Sequence, residues 1–150
     1  MTDILKVYKG DEVVGTGERN EDDKGNVTIN NLKANTTYPK GTFKASWSNE
    51  HGESEKEDIE EFKTNPIKVT GVNLEKESLD LNIDDTETLD FNVTPSTATD
   101  KSVTFNSSNE VVASVNNEGL VTALSAGTSE ITVTTTDGSK TAKVTVNVNE

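Results

Sequence analysis

The sequence predicts an all-β protein built as two β-sandwich units in tandem, the first of them shortened or incomplete. Three observations lead there. Valine, isoleucine and phenylalanine recur in short period-two runs, the pattern of half-buried strands. Asn, Gly, Asp and Ser cut those runs at short intervals, as turns between strands do. Hydrophobic content is 30% and aromatic content 5% of the 150 residues, which suits two thin layered cores better than one thick domain. A chain this polar, with a net charge of −13, would be disordered if its apolar residues were scattered. Their clustering into alternating runs argues for folding.

The seam is expected at Asn65-Pro66-Ile67, dividing the chain into 1–66 and 67–150. Proline favours an extended residue before it, as in a short linker. The segments carry net charges of −5 and −8.

In the second segment a first edge strand is expected between Val69 and Val72. Leu89, Phe91 and Val93 alternate with polar residues as one strand, ended by Pro95 and a loop over Ser96–Asp100. Val103 and Phe105 form the next, and Val111 to Val115 another. Asn116-Asn117-Glu118-Gly119 reads as a turn, because Asn and Gly tolerate positive φ. Leu120 to Leu124 follows, Ala126-Gly127 turns the chain, and Ile131 and Val133 face inward. Asp137-Gly138 makes a hairpin, and Val144, Val146 and Val148 close the sheet.

These residues resemble the bacterial Ig-like domains of group 2. The resemblance is carried in order by Val69-x-x-Val72-x-Leu74, Val93-Thr94-Pro95 and Ser107-Ser108-Asn109-x-x-Val112-Ala113-Ser114-Val115. The block Gly119-Leu120-Val121-Thr122-Ala123-Leu124-Ser125-Ala126-Gly127-Thr128-Ser129-x-Ile131-Thr132-Val133 and the closing valines continue it. A tryptophan commonly precedes Ser-Ser-Asn in that family; here Phe105 stands two residues before Ser107.

In the first segment Leu32-x-x-x-Thr36-x-Tyr38 has the spacing of a tyrosine corner, whose hydroxyl bonds back to upstream backbone. Phe43, Ala45 and Trp47 alternate onto one face, and Phe62-Lys63-Thr64 ends the unit. These features resemble the later strands of a fibronectin type III domain. Pro39-Lys40-Gly41 departs from that pattern as an insertion. About 30 residues precede Leu32, enough for the middle strands but not the first two. A sandwich lacking them exposes edges to strand addition, so an upstream chain segment is a candidate partner completing this unit.

Little in the sequence suggests chemistry. His51, the only histidine, lies in the loop Asn49–Gly52 with no nucleophile motif around it. The acidic runs Glu21–Asp23, Glu57–Glu61 and Asp84-Asp85 lack calcium-loop spacing and read as solvated charge. Asp22–Asn26 is expected to be a tight turn with Gly25 at positive φ. Trp47 and Tyr38 read as core rather than a sugar-stacking platform. Asn26, Asn35, Asn92 and Asn106 stand in N-x-[ST] triplets, which without a secretory signal mean only that Asn and Thr are common here. There is no cysteine, so no disulfide or thiolate site forms. No catalytic residue, metal ligand or cofactor is assigned, and the chain is read as non-enzymatic.

Nucleic acid is not expected as a partner, because phosphate binding needs clustered Lys and Arg and Arg19 is the only arginine. No run of apolar residues is long enough to span a membrane, and the opening residues show no signal peptide. The resemblance implies a spacer, adhesion or display role. It leads to the expectation of a tailed-phage or prophage structural protein, located in the virion, with phage structural proteins or a host cell-surface polymer as partners. The alternatives are a fragment of a bacterial cell-surface adhesin or stalk, and a carbohydrate-binding accessory module. Contacts are assigned to loops such as Ser96–Asp100 and Asp84-Asp85.

Overall fold

The computed structural model describes residues 2–22 and 24–150. Their contacts divide into two compact units, one running to Asn65 and one beginning at Pro66. Both are all-β.

Unit 1 opens with a hairpin, β1 (Ile4–Lys9) and β2 (Glu12–Glu18), joined through Gly10 at φ 63°. β1 also pairs antiparallel with β4 (Lys44–Asn49), whose other edge takes β5 (Gly52–Glu53) and β6 (Glu57–Asp58). β2 is therefore an edge strand. The β1–β4 register sets Leu5 opposite Trp47 and Val7 opposite Ala45, so one face of the sheet is apolar. Facing it is a two-residue pair, β3 (Thr37–Tyr38) with β7 (Phe62–Lys63). Tyr38, Phe43 and Phe62 meet there with ring centroids 5.4–5.8 Å apart. The Tyr38 hydroxyl accepts the Lys33 N–H at 2.9 Å, the backward bond expected of the corner.

Residues 24–35 lie outside every sheet except for a bridge between Arg19 and Gly25. Gly25 is not at positive φ, contrary to expectation. The Asn20 carboxamide organises that turn instead, accepting the N–H groups of Asp22 (3.2 Å) and Lys24 (2.9 Å). Gly25 serves close packing: a Cβ there would stand 2.8 Å from the Trp47 ring and 2.9 Å from Leu5. Asp23, counted with the acidic run, lies outside the described residues.

Unit 2 begins with β8 (Gly71–Leu74), paired with β11 (Phe91–Thr94). The strand starts two residues later than expected, because the Val69 N–H is taken by the Asp137 carboxylate at 2.8 Å. β9 (Ser78–Asn82) runs parallel to the last strand, β16 (Thr141–Asn149). β10 (Thr86–Thr88) pairs with β14 (Leu120–Ala123), which also pairs with β13 (Ala113–Val115). Leu89 does not continue into Phe91 as one strand; its N–H bonds to the Gly119 carbonyl between β10 and β11. β12 (Val103–Ser107) and β15 (Gly127–Thr135) complete the sheet β12-β15-β16-β9.

The core of unit 2 is the inward set of those strands: Leu79, Leu81, Val121, Ile131, Val144, Val146 and Val148, with Leu89 and Val112. Val111, expected in a strand, is 74% exposed in the turn before β13. Asn109 makes that turn: its side-chain oxygen accepts the Val111 N–H at 3.2 Å and its carbonyl accepts those of Val112 and Ala113. Gly119 (φ 80°) and Gly138 (φ 75°) occupy turns where positive φ was anticipated.

Candidate interaction surfaces

On the outer face of the unit 1 sheet, Lys6, Tyr8 and Ser46 lie side by side by register, and the β4–β5 hairpin folds Glu53 onto the same face. The Glu53 carboxylate accepts from Ser46 Oγ at 2.6 Å, from Lys6 Nζ at 2.9 Å and from the Tyr8 hydroxyl. Those three donors hold its pKa down to about 2, the Ser46 bond leading. The same contact raises Lys6 and Tyr8, each through its bond to Glu53 first. The Lys56 ammonium stands 3.8 Å from the Tyr8 ring centroid. With its lone pairs taken by fixed donors, Glu53 latches the hairpin to the sheet rather than moving protons. Sequence reasoning missed it; Gly52, which opens β5 at φ 137° opposite Asn49, was the available hint that the following residue folds back.

Trp47 is half-buried, with the Arg19 guanidinium 4.7 Å from its ring centroid and Gly25 packed against it. It is a packed residue, not an open platform. Beside it an open groove of about 310 Å³ is lined by Asp3, Asn49, His51 and Ser54 among others. Asp3 is engaged there, accepting Arg19 Nη1 at 3.1 Å and Asn49 Nδ2 at 2.9 Å. The His51 imidazole is exposed, with Nε2 3.8 Å from a Glu50 carboxylate oxygen. This is loop polarity without a nucleophile beside it.

The acidic runs are dispersed. Asp58 pairs with Lys44 and Glu60 with Lys40, both at 2.5 Å. Asp85 accepts the N–H of Asn82 at 2.8 Å, and Asp84 sits at φ 73°. Among the described residues no group of three or more His, Cys, Asp or Glu is placed to hold a metal ion, and no helix is long and apolar enough to cross a membrane.

The loop Ser96–Asp100 is tied down. Ala98 is buried, the Thr99 N–H bonds the Ile67 carbonyl at 2.9 Å, and Thr99 Oγ1 accepts the Ile67 N–H at 2.9 Å. Asp100 accepts both the hydroxyl (2.6 Å) and the N–H (2.9 Å) of Ser102, which lowers its pKa. Its polar groups are spent internally, which weakens the case for it as a contact loop. Asn26, Asn35, Asn92 and Asn106 are all exposed.

The Ser107-Ser108-Asn109 motif has a structural task. Ser107 Oγ donates to the Ala113 carbonyl at 2.6 Å and stands 2.9 Å from Ser129 Oγ, which accepts the Asn109 N–H at 3.1 Å. This buried network pins the β12–β13 turn onto β15. Where the family commonly has tryptophan, Phe105 packs edge-on against Phe91 with centroids 5.7 Å apart.

Residues 68–146 match the bacterial Ig-like domain (group 2) family. No curated protein sequence matches the chain. Among solved structures, the S-layer protein rSbsC(31-844) is 16% identical with a TM-score of 0.53. The match takes in 98% of this chain but only 20% of that structure. Domains 4 and 5 of the S-layer protein SbsC are 14% identical with a TM-score of 0.52, covering 97% of this chain and 98% of that one. At such identities the likeness concerns fold alone, and it extends over both units. With the family match spanning more than half its length, the chain belongs to the bacterial Ig-like domain (group 2) family, as a non-enzymatic structural module.

Proposed function

We propose that this chain is part of a structural array at a bacterial cell surface, its two β-units acting as spacers that carry contacts outward. The observation that carries this reading is the end-to-end match of both units to domains 4 and 5 of a surface-layer protein. Family membership supports it, as does a surface in which the polar clusters are spent on latching strands together. The partner is a cell-surface polymer or a neighbouring domain of the same array. Fold likeness to surface-layer domains supports this location over the expected virion one, which rested on the first residues of the chain. Mild protease treatment of intact source cells tests the reading. Peptides of this chain released from intact cells, and enrichment in the wall fraction, are expected. Recovery in purified phage particles without surface release would overturn it and restore the virion reading.

A further inference from the structure

Residues 26–31, Asn-Val-Thr-Ile-Asn-Asn, have the burial of a strand without a sheet. Gly25, Val27 and Ile29 are half-buried while Asn26, Thr28 and Asn30 are exposed, the alternation of a strand with one face on a core. Yet beyond the Arg19–Gly25 bridge, among the described residues no hydrogen bond engages the main chain of residues 27–32. Peptide groups shielded from water are nearly always paired, and those of the half-buried Val27 and Ile29 have no protein partner here.

What holds the segment is contact with a sheet face rather than a ladder. Gly15 and Gly17 of β2 turn their missing side chains toward it. A Cβ on Gly15 would come within 2.5 Å of Val27 Cγ1, and one on Gly17 would meet the Asn26 carbonyl. The glycines also receive the Asn26 and Thr28 carbonyls, so that edge of the segment lies on β2, and the edge carrying the peptide groups of Val27 and Ile29 stays free. Alongside runs a groove of about 420 Å³ with an apolar stretch, Val13, Val14, Ile29 and Leu32, between polar ends formed by Lys9 and Glu12 and by Asn30 and Asn31. Phe43 is 1% exposed, whereas Val13 on the rim is 45% exposed. β2 borders the groove as an edge strand, its register shifted by a bulge near Val14.

We infer that unit 1 accepts a donated β-strand: a stretch of polypeptide that pairs along the free edge of residues 26–30, before Asn31 turns the chain at φ 62°, and seats alternate apolar side chains in the groove beside Val13 and Ile29. The unpaired peptide groups call for a main-chain partner, which no polysaccharide or lipid supplies. The groove calls for small or β-branched apolar residues at every second position. Residues 26–31 carry no charge, while the chain as a whole is at −13. A neutral or weakly basic donor therefore fits, and an acidic one is repelled. A second copy pairing through the same segment is less apt: its own Val27 and Ile29 would turn toward its own core and leave the groove open. This inference stands apart from the cell-surface reading, since a donor could come from any neighbouring polypeptide.

The test adds a donor in cis to the full chain. A roughly seven-residue strand of alternating valine and threonine with a lysine at each end is fused ahead of Met1. A flexible linker of about 10 residues, able to reach ~33 Å, joins it. A control donor carries proline at its central position, where it cannot pair. Hydrogen exchange is then read by residue. In the chain without a donor, the amides of Val27, Thr28, Ile29, Asn30 and Asn31 are expected to exchange nearly as fast as in an unfolded peptide. The intact donor is expected to slow Val27 and Ile29, whose N–H groups lie on the free edge, tenfold or more and to raise the midpoint of the Trp47 fluorescence melt. Equal exchange with intact and proline donors would overturn the inference. So would protection of 27–31 in the donor-free chain, and if that chain also sediments as a dimer, the second copy is the occupant instead.

Discussion

Replacing Ser107 by alanine tests whether the Ser-Ser-Asn motif is a structural device. Ser107 is 9% exposed and Ser129 1% exposed. Since the Ser107 hydroxyl proton goes to the Ala113 carbonyl at 2.6 Å, the Ser129 hydroxyl must donate to Ser107 Oγ across 2.9 Å, leaving Ser129 Oγ to accept the Asn109 N–H. Ser107→Ala removes two net hydrogen bonds, about 0.5–1.5 kcal/mol each, and strands a buried hydroxyl donor at about 1–3 kcal/mol. The expected loss is roughly 2–6 kcal/mol in a unit whose whole stability, for its size, is about 4–13 kcal/mol. Ser129→Ala leaves the Ser107–Ala113 bond intact, and the Asn109 N–H keeps Ser107 Oγ as an acceptor at 3.3 Å, so it should cost less, about 1–2 kcal/mol. Ser108 is exposed, its hydroxyl accepting the Glu130 N–H at 2.8 Å, and its alanine variant should stay within about 1 kcal/mol. Hydrogen exchange of the Ile131 and Val146 amides reads the opening of unit 2, because core strands exchange through global unfolding. A Ser107→Ala loss under about 0.5 kcal/mol would refute the reasoning. A Ser129→Ala loss as large as that of Ser107→Ala would refute the assigned direction of the bonds.

Three further outcomes are expected. The Glu53 pKa is depressed to about 2 in the folded chain from an ordinary 4.5. Its contribution is therefore present above pH 4.5 and lost as pH falls from there toward 2. Urea melts of unit 1 followed by Trp47 fluorescence should weaken over that window, and Glu53→Gln should flatten the decline. Gly17→Ala would drive a methyl group into the Asn26 carbonyl. The Trp47-monitored melt should lose about 1–3 kcal/mol while the Ile131 amide stays unchanged. Val111 is 74% exposed, so Val111→Ser should shift the exchange of the Ile131 amide by under about 0.5 kcal/mol.

The parts of this fold that sequence reveals are those where alternation and turn chemistry coincide. Val144, Val146 and Val148 stand at every second position, and all three are buried in β16. The turn at Asn116–Gly119 was legible because it needs both a side-chain acceptor and a positive φ, and Asn116 and Gly119 supply them. Val111 misled because a valine beside a buried valine looks like a strand. Asn109, four residues before β13, had already claimed the local N–H groups. Leu79 and Leu81 in β9 were legible in pattern but went unread amid acidic neighbours, although both are buried. The latch at Glu53 was beyond local pattern altogether. It depends on Lys6 and Tyr8, more than forty residues away, arriving on the same face through the β1–β4 register.

The two units are held by different means, and this bears on where contacts should be sought. Unit 2 rests on two nine-residue strands, β15 and β16, flanked by β12 and a parallel β9, and its inward residues form a continuous core. The surface ion pairs Lys143–Glu130 and Lys76–Glu87 add at most about 1 kcal/mol each in water, so packing carries that unit. In unit 1, by contrast, β3, β5, β6 and β7 are two residues each. Side-chain devices do much of the joining there: the Tyr38 corner, the aromatic trio and the Glu53 latch. Short ladders leave main-chain groups unspent, and unspent main-chain groups are what another strand recognises. With packing holding unit 2 and a bare strand segment in unit 1, unit 1 is where a strand partner should be sought.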